Sequence, residues 1–169
     1  MFLVSDTLEG RRELIRSYDG KQSTLGTLLA VIDFEWTVRR AIIVLAYLPT
    51  KEVRQDIERC SGAPAYKEKW KKHVSPRFEV LLEGVVPDWT SLKDGAFIMR
   101  HKIVHGVQVT AKEDDAIEKR DIALGASAAI CDFAMARGFD IYSKLPVRRK
   151  AVELKCPPSA PMEQFCVIA

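Results

Sequence analysis

Residues 23–47 constrain the fold most, because their periodicity predicts one long helix that is apolar around most of its circumference. Pro49 fixes its end, since the residue before a proline avoids helical geometry. We expect this helix to lie at the centre of the domain and to be covered on two sides. One apolar face comprises Leu25, Leu28, Leu29, Ile32, Trp36, Ile43 and Ala46, and the opposite face comprises Phe34, Val38, Ala41 and Leu45.

Capping residues and turns predict shorter helices on either side of this long helix. A first helix begins at 5–7 and ends at Asp19 and Gly20. Thr50 is placed to cap a third helix, which runs to about Cys60. Both are expected to pack against the long helix.

The last long helix is predicted over 111–137, between a capping box formed by Thr110 and Glu113 and a closing glycine, Gly138. Its many alanines, together with Gly125, favour the close approach of another helix. The predicted core stripe is Ile117, Leu124, Ala128, Cys131 and Met135. With no strand alternation and no repeat, the sequence predicts an all-α fold, an antiparallel bundle of four to six helices.

The composition predicts one soluble domain with an irregular extension. The chain has 169 residues, of which 47% are hydrophobic and 29% charged, so it can bury a core of its own. Prolines and basic residues become frequent after Tyr142. We therefore divide the chain into a helical domain at 1–145 and a C-terminal tail at 146–169.

The four cysteines form no C-x-x-C pair, and the first residues lack the pattern of a signal peptide. The longest nearly apolar run, 41–48, is far shorter than the roughly 20 residues of a membrane-spanning helix. We expect a reduced cytoplasmic protein without a membrane span. The net charge of +3 permits an acidic ligand such as RNA without arguing strongly for one.

The segment 100–106 carries the chemistry of this chain. It closes a helix that is predicted to begin near Asp88, and Gly106 suits the position just past the helix end. Leu92, Ala96, Met99 and Ile103 form the apolar stripe of that helix. Arg100, His101 and His105 lie off the stripe, so they are free for a role other than packing.

An arginine followed five positions later by a histidine, at the end of a helix in an all-α chain, resembles the motif of the HEPN superfamily. In particular, Arg100, His101, His105 and Gly106 resemble the version found in HEPN ribonucleases. The likeness extends over much of 5–145 and is greatest to the RiboL-PSP group. It implies a HEPN-like bundle and a metal-independent endoribonuclease of the toxin or phage-defence type.

The residue types of this motif suit RNA cleavage even without the family resemblance. Cleavage of RNA by its own 2′-hydroxyl needs a base, an acid for the leaving 5′-oxygen and a cation for the charge on the phosphate. We expect His105 to be the acid or base, Arg100 the phosphate clamp and His101 an orienting group. The products would be a 2′,3′-cyclic phosphate and a 5′-hydroxyl, and no metal or cofactor is needed. From the resemblance, Glu35 is a supporting acidic residue on the preceding helix.

Basic residues interleaved with aromatics at 66–72 are a candidate surface for single-stranded RNA. We assign RNA contacts to Lys67, Lys71 and Lys72, and to Lys102 beside the motif. The alternative is a solvated helix face with Trp70 turned inward. His73, at the end of this run, is interpreted as a surface residue.

Structural interpretations of the motif stay open. Arg100 can be an ordinary exposed arginine, and His105 can stabilise the helix C-terminus through the macrodipole. His101 and His105 also have the spacing of metal ligands on a helix. Glu35 can instead form an ion pair with Arg39, four positions later on the same helix.

The sequence also makes predictions about partners. In a continuous helix Arg100 and His105 point about 140° apart, so a two-fold homodimer is needed to bring both to one phosphate. The resemblance implies the same arrangement, and an antitoxin or defence-system partner with it. Val107 stands where some HEPN toxins carry a tyrosine that their antitoxin modifies, which argues against that pairing. The alternative function is a non-catalytic HEPN module that binds nucleotide, RNA or protein.

Overall fold

The computed structural model describes residues 8–20, 22–106 and 112–143, and these residues are helical with no strand among them. The predicted all-α class is confirmed. The 146–169 tail, the Thr110 cap and Val107 lie outside the described residues. No helix in the described part of the chain has both the length and the apolar character that crossing a membrane requires.

Two long helices and several short ones make up the described structure. They are α1 (Leu8–Arg16), α2 (Ser23–Leu45), α3 (Thr50–Ile57), α4 (Ala63–His73), α5 (Ser75–Phe78), α6 (Leu82–Val85), α7 (Trp89–Ser91), α8 (Phe97–Val104) and α9 (Glu113–Met135). A single π-helical turn, Leu92–Ala96, joins α7 to α8. The segment after Pro87 is therefore one helical rod with a widened turn inside it.

The central position predicted for α2 is confirmed, because α1, α3, α4, α8 and α9 all contact it. Phe34, Val38, Ala41 and Leu45 are completely buried. The opposite face is covered only in part, which corrects the prediction of two covered sides. Ile32 and Trp36 remain 40% and 37% exposed, although Arg11, Arg40 and Tyr142 contact the Trp36 ring.

The helices α2 and α9 run parallel, whereas the sequence predicted an antiparallel bundle. Thr27 Oγ1 donates to the Ala116 carbonyl at 2.7 Å near the start of both helices. In the C-terminal part of α2, Arg40 Nε donates to the carbonyl of Ile141, which follows the end of α9, at 2.6 Å. Parallel packing is possible because the chain between them turns back through the rod that ends in α8.

Alanines line the contact of α9 with α2, as the sequence predicted. Ala116, Ala123, Ala126 and Ala134 are buried, and small side chains let two helix backbones approach closely. Two expected members of this surface are wrong. Gly125 and Met135 are exposed, whereas Leu124 and Cys131 of the predicted core stripe are buried.

The helix ends follow local sequence with one exception. Gly106 and Gly138 adopt φ values of +69° and +78° just after α8 and α9, as expected for C-terminal glycines. Thr50 does not cap α3, because Pro49 occupies the capping position and Thr50 is the first helical residue. The Thr50 hydroxyl is buried with no hydrogen-bond partner.

Candidate active site at the end of α8

The two histidines of the motif lie side by side at the end of α8. His105 follows the last helical residue, and its backbone N–H donates to the His101 carbonyl at 3.0 Å. The ring centroids are 4.3 Å apart, and the rings are tilted by 48°. The predicted placement of both histidines on one helical face is therefore confirmed.

Arg100 points toward α2, where it meets Glu35. The distance from Arg100 Nη2 to Glu35 Oε2 is 3.8 Å. The other oxygen of Glu35 accepts a hydrogen bond of 3.4 Å from the backbone N–H of Gly62, at the start of α4. Glu35 thus connects α2, α4 and the motif helix. Arg100 Nε is buried with no hydrogen-bond partner, so part of the guanidinium is not engaged.

The predicted ion pair between Glu35 and Arg39 is wrong. Arg39 Nε donates to Tyr66 Oη at 2.9 Å, and its Nη2 donates to the Cys60 carbonyl. Although Glu35 and Arg39 are one turn apart on α2, the arginine reaches the connection between α3 and α4. Glu35 is left to contact Arg100.

Cys60 and Tyr66 lie near Glu35, but neither is suited to proton transfer. Burial raises the pKa of Tyr66 to about 12, in opposition to the hydrogen bond from Arg39. Burial also raises the pKa of the Cys60 thiol. Both groups therefore stay protonated near neutral pH, which leaves the histidines as the groups with suitable chemistry.

The motif helix is open to solvent over most of its surface. Met99 is its only buried residue among 97–104. Ile98 and Val104 are 45% and 51% exposed. His101, Lys102 and His105 are exposed as well. The end of α8 thus presents exposed side chains in the described part of the chain.

The aromatics of the basic segment 66–72 are unavailable for stacking on RNA bases. Tyr66 and Trp70 are completely buried, and Trp70 Nε1 donates to the Val80 carbonyl at 3.1 Å. This confirms the solvated helix face with Trp70 inward. Lys67 pairs with Glu83 at 2.7 Å, and Lys72 pairs with Asp56 at 3.0 Å. Lys71 is exposed.

His73 is a buried residue, which corrects its interpretation as a surface residue. It is 1% exposed, and its Nε2 lies 2.6 Å from Asp56 Oδ2. Lys69 and Lys72 pair with the same carboxylate. Tyr66, Trp70 and His73 stand at i, i+4 and i+7, so helical spacing was the available signal that His73 shares the buried face.

The described residues contain no group of three or more His, Cys, Asp or Glu side chains that could hold a metal ion. The candidate site comprises the Arg100 guanidinium, the His101 and His105 imidazoles and the Glu35 carboxylate. Comparison with family models, with curated proteins and with solved structures gave no match.

Proposed function

We propose that the protein is a metal-independent endoribonuclease that cleaves RNA at the end of α8. One observation carries the proposal: the exposed, adjacent rings of His101 and His105 end the same helix that carries Arg100, whose guanidinium lies 3.8 Å from the Glu35 carboxylate. Arginine and histidine together supply the positive charge and the proton transfer that RNA cleavage needs. The resemblance of the motif to HEPN ribonucleases adds to this support.

In the proposed reaction, a base removes the proton of the 2′-hydroxyl, and the 2′-oxygen attacks the adjacent phosphorus. The bond from phosphorus to the 5′-oxygen breaks, and an acid returns a proton to that oxygen. His105 acts as acid or base, and Arg100 binds the phosphate and balances its growing charge. The products are a 2′,3′-cyclic phosphate and a 5′-hydroxyl.

Glu35 and His101 are positioning residues in this proposal. Glu35 holds one end of the Arg100 guanidinium while Nε stays unengaged. The His101 ring packs against His105 and limits its rotation. Both contacts reduce the freedom that must be lost when the phosphate binds.

A homodimer is the second part of the proposal. The Arg100 guanidinium faces α2, whereas the histidine pair lies at the open end of α8. One chain thus separates the phosphate clamp from the acid and base. Ile98 and Val104 are exposed apolar side chains of α8, about 120° apart around the helix, and contact with a second copy would bury apolar area at either. Two-fold symmetry would bring the ends of two α8 helices, and so two copies of the motif, into one cleft.

The RNA path is proposed to continue from α8 along α4. Gly62, whose N–H donates to Glu35, directly precedes α4, so the lysines at 67 to 72 follow at about 7 to 15 Å along the helix axis. Lys102 and Lys71 are exposed for phosphate contacts. Lys67 and Lys72 would have to leave Glu83 and Asp56 to contribute.

A cytoplasmic role in a toxin or defence system, with an antitoxin as partner, rests on the resemblance.

The decisive test uses a labelled RNA oligonucleotide and purified protein in excess EDTA. We expect cleavage with cyclic-phosphate ends. The matched control substrate carries a 2′-deoxyribose at the mapped cleavage position, which removes the nucleophile and should block cleavage there. Activity that disappears in EDTA, or that persists on the 2′-deoxy substrate, would contradict the proposed chemistry.

The dimer has a separate test. Chains with Arg100→Ala and His105→Ala are given different tags, co-expressed and purified through both tags. The heterodimer keeps one intact arginine and one intact histidine on different chains. Cleavage above that of either mutant homodimer supports a shared site, and a fully active monomer at the assay concentration contradicts it.

A non-catalytic binding module is the second candidate, and the exposed apolar residues of α8 favour it. Ile98 and Val104 would suit a protein partner as well as a second copy. In that case RNA or protein would bind without cleavage, and Arg100→Ala would weaken binding only.

A further inference from the structure

The His101 and His105 rings form an exposed pair at the end of α8. Their centroids are 4.3 Å apart on successive turns at the end of α8. Within 8–106 and 112–143, no hydrogen bond or ion pair engages either ring. The third histidine of the chain, His73, is buried against Asp56 and cannot offer the same chemistry.

We propose that this pair chelates a transition-metal ion that prefers imidazole, such as Ni²⁺, Zn²⁺ or Cu²⁺, and that the bound ion inhibits the nuclease. A metal bound at about 2.0 to 2.1 Å needs its two nitrogen ligands roughly 3 Å apart. Neighbouring rings at 4.3 Å can meet this requirement by small side-chain rotations. Water completes the coordination shell.

The end of α8 favours a cation for a second reason. The carbonyl groups of a last helical turn carry partial negative charge, which attracts positive charge to that end. The positive charge of Arg100 is offset in part by Glu35 at 3.8 Å. Lys102 remains as an opposing charge on the same helix. With only two protein ligands, we expect weak, reversible binding and not a permanent structural ion.

The inhibitory effect rests on the proposed function. A metal takes the nitrogen lone pairs of both imidazoles, and His105 needs that lone pair to accept a proton. A bound metal ion therefore prevents RNA cleavage at this site. Added zinc or nickel should lower activity and EDTA should restore it, which is the reverse of a metal-dependent nuclease.

Calorimetric titration of NiCl₂ into the untagged protein tests the site directly. Cys156→Ser and Cys166→Ser are included in every sample, because these cysteines lie outside the described residues and cysteine also binds such ions. We expect one ion per chain. His101→Asn and His105→Asn should each lower the affinity at least tenfold, because the chelate is lost.

Asp94→Asn is the matched control for the calorimetry. Asp94 is an exposed acidic residue in the turn before α8 and pairs with Lys93 at 3.2 Å. Its removal should leave the nickel affinity unchanged, and a tenfold loss would overturn the two-histidine site. Absence of binding, or binding that survives both histidine variants, would also overturn it.

The same protein is then assayed on RNA with and without NiCl₂. Nickel should roughly halve cleavage at its calorimetric dissociation constant and lower it about tenfold at ten times that concentration, and EDTA should reverse the loss. Full activity at saturating nickel would overturn the inhibitory role. If no sample cleaves RNA while the histidine variants still lose nickel binding, the proposed function fails and the metal site stands.

Discussion

The three histidines of this chain occupy two contrasting environments. His73 is 1% exposed and lies 2.6 Å from the Asp56 carboxylate, which also pairs with two lysines. His101 and His105 are exposed, contact each other and have no acidic partner among the described residues. The first environment fixes α4 against α3, and the second leaves imidazole nitrogens open to a ligand.

Neighbouring groups and burial decide which histidine can do chemistry. The His73 ring is buried and its Nε2 contacts Asp56, so a substrate cannot reach it and its role is to hold two helices together. His101 and His105 are exposed at a helix end, so a ligand or substrate can contact them without disturbing the core. The difference leads to separable effects on activity and stability.

The largest expected effect is a loss of RNA cleavage in variants of the motif at the end of α8. Arg100→Ala or His105→Ala should lower cleavage at least about 100-fold, since each removes a group that acts on the reacting phosphate. Thermal midpoints should stay within a few degrees of wild type, because both residues lie outside the buried core. Single-turnover assays with thermal melts measure both. A fall in stability with no specific loss of cleavage would show that the motif is structural.

The next largest expected effect is a loss of stability when the contact between Asp56 and His73 is weakened. Asp56→Asn removes the charge that His73, Lys69 and Lys72 share, and should cost about 1 to 3 kcal/mol of unfolding free energy. Urea unfolding measures this loss. Cleavage per folded molecule should stay near the wild-type level, and a selective loss of cleavage would place this pair in the active site.

The pH dependence of stability tests the contact between Asp56 and His73 in a second way. The hydrogen bond with His73, helped by Lys72 and Lys69, lowers the pKa of Asp56 despite partial burial. The stabilisation is therefore fully present above the ordinary carboxyl pKa of about 4 and is lost as the pH falls through the lowered value. The difference in unfolding free energy between wild type and Asp56→Asn should persist at pH 5 and shrink below about pH 4. A difference that grows in acid would contradict this assignment.

A smaller effect is expected at Glu35. Glu35→Gln keeps an oxygen for the Gly62 N–H but removes the charge that holds Arg100. We expect about a tenfold loss of cleavage, from looser placement of the guanidinium. Single-turnover rates at saturating RNA measure it, and restored cleavage in Glu35→Asp would support a positioning role. If Gln and wild type cleave equally, the ion pair does not matter.

The smallest effect concerns the lysines of α4. Lys71→Ala should weaken RNA binding a few-fold and lower its salt dependence, since one phosphate contact is lost. Lys67→Ala is the matched comparison, because Lys67 already pairs with Glu83 at 2.7 Å and should matter less. Fluorescence anisotropy at several salt concentrations measures both. Equal affinities for both variants and wild type would place the RNA elsewhere.

Several features of the fold could be predicted because their causes are local. The bounds of α2, its stop before Pro49 and the glycines after α8 and α9 follow from periodicity and backbone preference. The adjacent rings of His101 and His105 follow from the spacing of four on a helix. The π-helical turn at Leu92–Ala96 had no such local signal.

Sequence alone determined the helical class, the central helix and the position of the motif at a helix end, because each depends on neighbours within a few residues. Tertiary structure alone decided that α2 and α9 run parallel, that Glu35 meets Arg100 and not Arg39, and that Asp56 holds His73 inside the domain. A long polar side chain reaches any helix placed beside it. Its partner is therefore set by how distant segments pack, which the spacing along one helix does not specify.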